Sequence, residues 1–521
     1  MHRPELPATA RALTARSIMR FVLLLLLIAR MIHADAQSQA GSSDGRVEIL
    51  NADEWLFGGP SGAQRLKGNV RFKHADALMR CDSAHLFEDQ RVDAFSSVAI
   101  EQGDSLRAYA DLLRYNGQQR IARLSGNVRL NDGTMELITP SLDYDLRARR
   151  AAYAQGGRIV SARDSSVLTS QVGAYDADRR AFLFGKDVVL EHPERRIRTD
   201  TMHYVTSTGI STFFSGTVIE QGQTLIRTLG GHYDTRSGRA RFTRRTSVLS
   251  KGRILEGDSL HYDRKDGHGL AWGHVTIADS SGEMRVLGDQ GAYSETDDRS
   301  MVTGHAELHL RMGADTLYLH GDTLFAHPEA NGRRITARQG VRFFKSDLQG
   351  ACDTLTFSDA DSLIRMRHRP VLWNGPDQIT GDTIRIALKD GRAHRLHVHG
   401  NAFLLSHADS VRLDQVTGST MTGYFSGDAL ERLDVEGNAR TVYFTKEKKE
   451  NAEEIFAVNR ADCSRIRVRM KDGGIASVTF LDRPDAVLHP IAKAPKEELL
   501  LPGAQDRGSE RPTSRAGIFT R

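Results

Sequence analysis

The residues best placed to do chemistry are His394, His397 and His399, in the stretch AHRLHVHGN. They put two imidazoles on one face of a strand, a spacing at which a metal could be held. No carboxylate or cysteine stands at a supporting offset, so the triplet reads as a solvated face before Gly400. A second series is longer. Asp53, Asp82, Asp111, Asp200, Asp258, Asp289, Asp353, Asp382 and Asp462 each lie four residues before an apolar or aromatic side chain. Carboxylates stacked on successive rungs could share calcium. The same positions elsewhere hold Pro140, Gln171, Leu229 and Thr420, however, and the glycine-dense nonapeptide of calcium rolls is absent. The aspartates read instead as hydrogen-bond acceptors at a bend. Cys81, Cys352 and Cys463 are too few and too far apart for a zinc site or a disulfide scaffold. No phosphate-binding loop, zinc-protease helix or nucleophile elbow is present. The reading is a protein that is not an enzyme, with no catalytic residue, no metal and no cofactor.

All these residues sit on a repeat. Short strands opening with Gly or Ser and then Val or Ala recur at GNVRF (68–72), SSVAI (96–100), GNVRL (126–130), GTVIE (216–220), GHVTI (273–277), GHAEL (304–308), GNAFL (400–404) and GNARTV (437–442). With weaker copies there are about thirteen, spaced about 30 residues apart. A return strand follows, as in ADLLRY (110–115), TDTMHY (199–204), GDSLHY (257–262), CDTLTF (352–357) and GDTIRI (381–386); ADEWLF (52–57) is the return half of an incomplete first unit. In one unit Ala122, Leu124, Val128 and Leu130 alternate with Arg123, Ser125, Asn127 and Arg129, which is a strand with one dry face. Asn131-Asp132-Gly133 then makes a tight turn back through Glu136 to Tyr144. The alternation changes phase at each Gly-Asp or Ala-Asp, which predicts a bulge or bend in every strand.

One hairpin cannot bury its apolar face without neighbours, so the repeat predicts a stack. The expected fold is all-β: an elongated, solenoid-like stack of about thirteen hairpins, about 26 bent antiparallel strands in two facing sheets, roughly 125 Å long at ~4.8 Å per strand. It should occupy residues 46–480, as one region or as consecutive domains. Residues 481–521, polar and proline-bearing, read as a disordered tail. Residues 1–36 read as a signal peptide: Arg3, Arg11, Arg16 and Arg20 precede the apolar run Phe21–Ala29, and Ala34-Asp35-Ala36 supplies a cleavage site before Gln37. The run falls far short of the roughly 20 residues that span a bilayer. Removing 1–36 takes away five Arg, Glu5 and Asp35, so the formal charge of +5 falls to about +2. A nearly neutral chain with no basic stripe is not expected to bind nucleic acid.

The inner stripe is represented by Val70, Phe72, Leu124, Val128, Leu130, Val218, Leu260, Tyr262, Leu324 and Phe357. Most of it is core, but two sheets that stay partly open would offer a long apolar cleft to acyl chains. Each buried CH₂ gains about 0.8 kcal/mol. These ten residues are therefore the candidate lipid-binding face.

A signal peptide, a G-N-V-x-L strand and an [AG]-D-x-L-x-Y strand, repeated over most of residues 46–480, resemble the OstA-like family, the LptA-like periplasmic bridges of lipopolysaccharide transport. The resemblance implies bent antiparallel β-jellyrolls that hold the acyl chains of lipid A. It also implies end-to-end partners: jellyroll domains of the inner-membrane ABC-transporter assembly and of the outer-membrane translocon. By this likeness the chain is a periplasmic, envelope-associated, non-enzymatic conduit for lipopolysaccharide from inner to outer membrane, serving outer-membrane biogenesis and driven by a separate ATP-powered transporter. It departs from the family in length, and no C-terminal series of membrane strands follows the repeats. The alternative class is a secreted β-solenoid that binds or cleaves polysaccharide, or an adhesin. That class needs aromatic platforms or clustered acids on an outer face, and 7% of the chain is aromatic.

Overall fold

The structure is a computed structural model that describes residues 46–57, 62–103, 106–449, 452–471 and 474–520. The expected signal peptide lies outside the described residues. The chain is all-β, as the repeat predicts. Strands such as Gln64–His74, Ala77–Leu86, Arg91–Gln102, Leu106–Asn116, Ile121–Asn131 and Met135–Asp145 each pair antiparallel with the next.

Every long strand is interrupted at its middle. The register breaks between Lys67 and Val70, between Phe95 and Val98, and between Ser125 and Val128. Two successive residues there take left-handed backbone angles: Gly68 (φ 75°) and Asn69 (48°), Gly126 (76°) and Asn127 (45°), Gly273 (71°) and His274 (44°). Side chains disfavour this conformation, and Gly followed by Asn or His tolerates it best. The corner divides each strand between two sheets. In the first, 64–67 leads through 83–86, 91–95, 112–116 and 121–125. In the second, 70–74 leads through 77–81, 98–102, 106–110 and 128–131.

Further along, the corner breaks some strands outright, as between Ile210–Phe213 and Thr217–Gln221 or Arg253–Gly257 and Ser259–Asp263, yet the pairing in each sheet continues. Both ladders run unbroken to Gly474–Leu481 and Asp485–Pro490. About 28 strands per sheet give a stack of roughly 130 Å. One apolar core from Val47 to Met470 fills the space between the sheets.

The segment expected to be a disordered tail lies on the stack. Asp485–Pro490 extends the second sheet, and residues 491–520 then double back across that sheet's outer face. Two glutamines clamp the returning backbone. Gln415 Nε2 donates to Leu499 O (2.9 Å) and its Oε1 accepts from Leu501 N (2.7 Å). Gln378 binds Gln505 O and Arg507 N in the same way (2.8 and 2.7 Å). Arg511 holds Gln349, and Arg515 forks onto Glu307 at 2.6 and 2.9 Å. Burial alone would raise the Glu307 carboxyl, but Arg515 and His309 bring it down to about 2. The physical reason for order is on the sheet: in this part of the chain Phe403, Leu405, Val442, Phe444 and Val458 face outward as well, and Leu501 seals them. The tail's polar composition hides a few well-spaced anchors.

Cys81, Cys352 and Cys463 are free. Each is the last paired residue before the corner on its return strand, opposite Val70, Val341 and Ala439. Burial pushes the Cys81 and Cys352 thiols up to about 12. Both are expected to resist alkylation in the folded protein at pH 8 and to react on unfolding. An intrachain disulfide found by non-reducing mass spectrometry would contradict the extended stack.

At the corner, Gly126→Ala forces a side chain into a left-handed site where its Cβ would sit 2.6 Å from Asp111 Oδ2. It should cost about 1–3 kcal/mol; Asn127→Ala, which removes one hydrogen bond and puts Ala at a left-handed position (φ 45°) without meeting Asp111, should cost about 1–2 kcal/mol. Thermal melts of the two variants measure the difference, and a parental melting point for Gly126→Ala would refute the corner's role.

Candidate functional site: the inner face, its corner and its seam

The inner face is bounded by the corner on one side and, on the other, by a seam where hairpin tips of the two sheets meet. The Asp series builds the corner. Asp53, Asp258, Asp289 and Asp382 donate their backbone N–H to the carbonyl of the corner glycine on the next strand: Gly68, Gly273, Gly304 and Gly400, at 2.8–3.0 Å. The carboxylates accept from the residue after that glycine. Asn69 binds Asp53 at 2.8 Å, Asn127 binds Asp111 at 2.7 Å, and Asn401 binds Asp382 at 3.1 Å. Ser97 serves Asp82 at 2.9 Å, while His274 and His305 meet Asp258 and Asp289 at 2.6 and 2.8 Å. The His274 and Arg245 contacts hold the Asp258 carboxyl below its ordinary range. Each of these carboxylates is thus engaged by its neighbouring strand. His397 and His399 lie on the outer face between Arg385, Thr383, Thr422 and Thr420, while Leu396 and Val398 face the core.

Of the ten residues expected on the inner face, Val70, Phe72, Leu124, Val128, Leu130, Leu260, Tyr262 and Leu324 are buried there, and Phe357 packs against the same core near its rim. Val218 is a correction. It pairs with Arg198 and Arg227 on the outer face, and Ile219 is the buried residue. The reason is a one-residue slip. Thr217, opposite Thr199, fills the slot that Val188 fills on the other side of Thr199. The glycine of Gly216-Thr217-Val218 therefore stands one place later in its corner than the glycine of Gly126-Asn127-Val128, and a shift of one residue turns every side chain over.

The inner faces are closed on each other. Phe72, Leu124, Val128 and Leu260 are at most 1% exposed, so the space between the sheets is filled by the protein's own side chains rather than left partly open. The apolar stripe changes character near its far end. Asp377 and Asp414 are buried around Ser406, and burial raises their carboxyls to about 7 and about 6.

The seam carries a feature that the sequence reading passed over. Tyr115, Tyr144, Tyr175, Tyr204, Tyr233, Tyr262 and Tyr293 form one row along the first sheet, and the strands between them place Ala122, Ala151, Phe182, Ser211, Ala240 and Gly269 opposite. The first three hydroxyls reach across to the second sheet: Tyr115 to His74 (2.7 Å), Tyr144 to Gln102 (2.5 Å) and Tyr175 to Asp132 (3.3 Å). Burial pushes the phenols up, Tyr175 to about 12. The signal was the regular final Tyr of each return strand; its partners, some 42 residues earlier, show no pattern of type.

Two bent sheets of paired half-strands, joined along a corner and zipped along a seam around one apolar core, define a β-jellyroll stack. Residues 45–200 of the chain match the family of OstA-like proteins, as the repeat motifs had indicated. No curated protein matches. Among solved structures, the chain is similar to LptH, the LptA homologous periplasmic component of the conserved lipopolysaccharide transport device from Pseudomonas aeruginosa. The identity is 15%, over 28% of this chain and 99% of that one, with a TM-score of 0.21.

The buried Asp377 gives a pH test. Its folded pKa, about 7, lies above the ordinary 3.8, so the native state holds a proton that the unfolded chain releases, and stability falls as pH rises between those values. Asp377→Asn should melt close to the parent at pH 4 and above it at pH 8. A gap that shrinks with rising pH would contradict this environment.

Proposed function

We propose that this protein is a non-enzymatic periplasmic bridge that holds the acyl chains of lipopolysaccharide between its two sheets and conducts it from the inner to the outer membrane. The observation that carries this reading is the single apolar stripe, continuous from Val47 to Met470 between two unbroken ladders. A polysaccharide binder would place its contacts on the outside, whereas the long axis of this molecule is apolar within. Because the faces pack on each other, acyl chains must replace self-contacts as the sheets part. At about 0.8 kcal/mol per CH₂, the chains return the burial that parting removes.

The ends of the stack support partners of the same kind. Among the described residues Glu54–Leu56 pairs only with Gln64–His74, and Trp55 within it and Phe57 just after it are exposed and stacked at 5.3 Å. Among the described residues Gly474–Leu481 is likewise paired on one side, with Ala452–Lys471. Edges of this type accept strands from another sheet, which suits jellyroll domains of an inner-membrane transporter assembly and an outer-membrane translocon.

A photocrosslinking residue at Val128 or Ile219 should capture lipopolysaccharide in cells, and one at Arg129 or Val218 should not. Equal capture from both faces would refute the inner path. Normal surface lipopolysaccharide after depletion would favour the polysaccharide-binding or adhesin class instead.

A further inference from the structure

The outer face of the second sheet carries, near its N-terminal end, one row of residues that the interior path does not use. Arg71, Arg80, Ala99, Tyr109 and Arg129 stand directly opposite one another on five successive strands. Their chain neighbours Val70, Met79, Val98, Ala108 and Val128 face the core, so the row points outward. Like charges directly opposite on adjacent strands are destabilising, yet Arg71 faces Arg80. Further along the same row the arginines are kept apart: Thr169 and Val189 stand between Arg158 and Arg198, and Val218 stands between Arg198 and Arg227. Arg80 bonds to Glu101 at 2.8 Å. Arg71 and Arg129 make no hydrogen bond or ion pair among the described residues.

The row lies in an open groove of about 640 Å³. That is within the roughly 300–1,000 Å³ usual for small-molecule sites. Ala99 is its floor, since it puts only a methyl group between Arg80 and Tyr109. The side chain of Tyr109 is exposed beside it. The corner makes one wall, where Asn69, Asn127, Asp82 and Asp111 present planar amides and carboxylates. Ser97 and Asn127 donate to Asp82 and Asp111 at 2.9 and 2.7 Å, which leaves further acceptor positions on both carboxylates. From Arg71 to Arg129 the groove crosses four strand spacings, roughly 19 Å. It has the length for a short chain rather than a single ion.

We propose that this groove binds a carboxylated oligosaccharide, with one sugar ring lying on Tyr109 and the carboxylate of a neighbouring sugar held by Arg71 beside Arg80. The site is independent of the interior path, because it lies on the opposite face of the same strands. Each part of the groove calls for a part of this ligand. An exposed aromatic ring takes the apolar face of a sugar. Carboxylates and amides take its hydroxyls, and a free guanidinium takes a carboxylate bidentately. A phosphate monoester carries nearly two charges where a carboxylate carries one, and Asp82 and Asp111 on the wall would repel it more strongly. A small anion without a sugar would leave Tyr109 unused.

The test is isothermal titration calorimetry on the full mature chain with a trisaccharide of galacturonic acid, the same trisaccharide with its carboxyls reduced to alcohols, and the reduced form carrying a phosphate monoester. The acidic trisaccharide should bind saturably and more tightly than the other two. Arg71→Gln should raise its dissociation constant about tenfold. It should leave binding of the neutral form unchanged. Tyr109→Ala should weaken both, while Arg158→Gln, on the same row outside the groove, should change neither. All three substitutions are on the outer face, and circular dichroism melts verify folding. Tighter binding of the phosphorylated form would overturn the choice of carboxylate. Binding of the acidic trisaccharide that is indifferent to Arg71 and Tyr109, or no binding at millimolar concentration, would overturn the site and leave the interior path standing.

Discussion

The structure depends on a bend made of three parts: a glycine in the left-handed region, an Asn, Ser or His after it, and an aspartate on the preceding strand that bonds to both. Without the bend each hairpin would be flat, its apolar stripe would face one way, and the strands would make a single open sheet with a wet core. With it, every strand contributes one half to each of two sheets and the stripe faces itself. The aspartate also excludes alternatives. A Cβ on Gly126 or Gly273 would lie within 2.6–2.7 Å of its carboxylate, so the glycine and the acid specify each other. Since each corner is satisfied by its neighbour, the corners propagate along the stack, and length is added one hairpin at a time.

Much of this was legible because it repeats. The period, the alternation and the phase change at the aspartate led to two facing sheets, and the corner aspartates were correctly placed at the bend, though as acceptors from backbone rather than chiefly from side chains. Two things did not survive the move into three dimensions. Val218 looked like Val128 because both follow a glycine, yet the corner at 215–216 is built one residue differently, and period-two geometry makes such a slip absolute. The C-terminal segment looked unstructured because composition averages over residues, whereas its order rests on a few anchors and on outward apolar residues elsewhere, Phe403, Leu405 and Phe444 among them. Both errors concern the partner and not the residue. A single sequence shows what a side chain is, but not what it stands opposite.

The same limit hid the seam. Seven tyrosines at one position of the repeat are visible in the sequence, but their partners differ in type, so only the register reveals the zip. That choice of residue matters for a molecule whose interior is filled by its own side chains. An aliphatic seam would bury its edge and resist parting in proportion to area. A tyrosine seam contributes ring packing to the core, and its closing hydrogen bonds can be exchanged for bonds to water once they break. The net cost of such an exchange is about 1 kcal/mol per bond.

Corner and seam therefore have opposite mechanical characters. The corner is covalent chain held in a strained conformation by a charge-assisted bond, and opening it would require every strand to lose both its bend and its partner. The seam is a line of isolated hydroxyl contacts between strand ends, joined by no continuous backbone ladder. Any separation of the two sheets must begin at the seam and hinge on the corner. The conduit proposed above would need this division between a hinge that does not slip and an edge that parts locally, a few residues at a time.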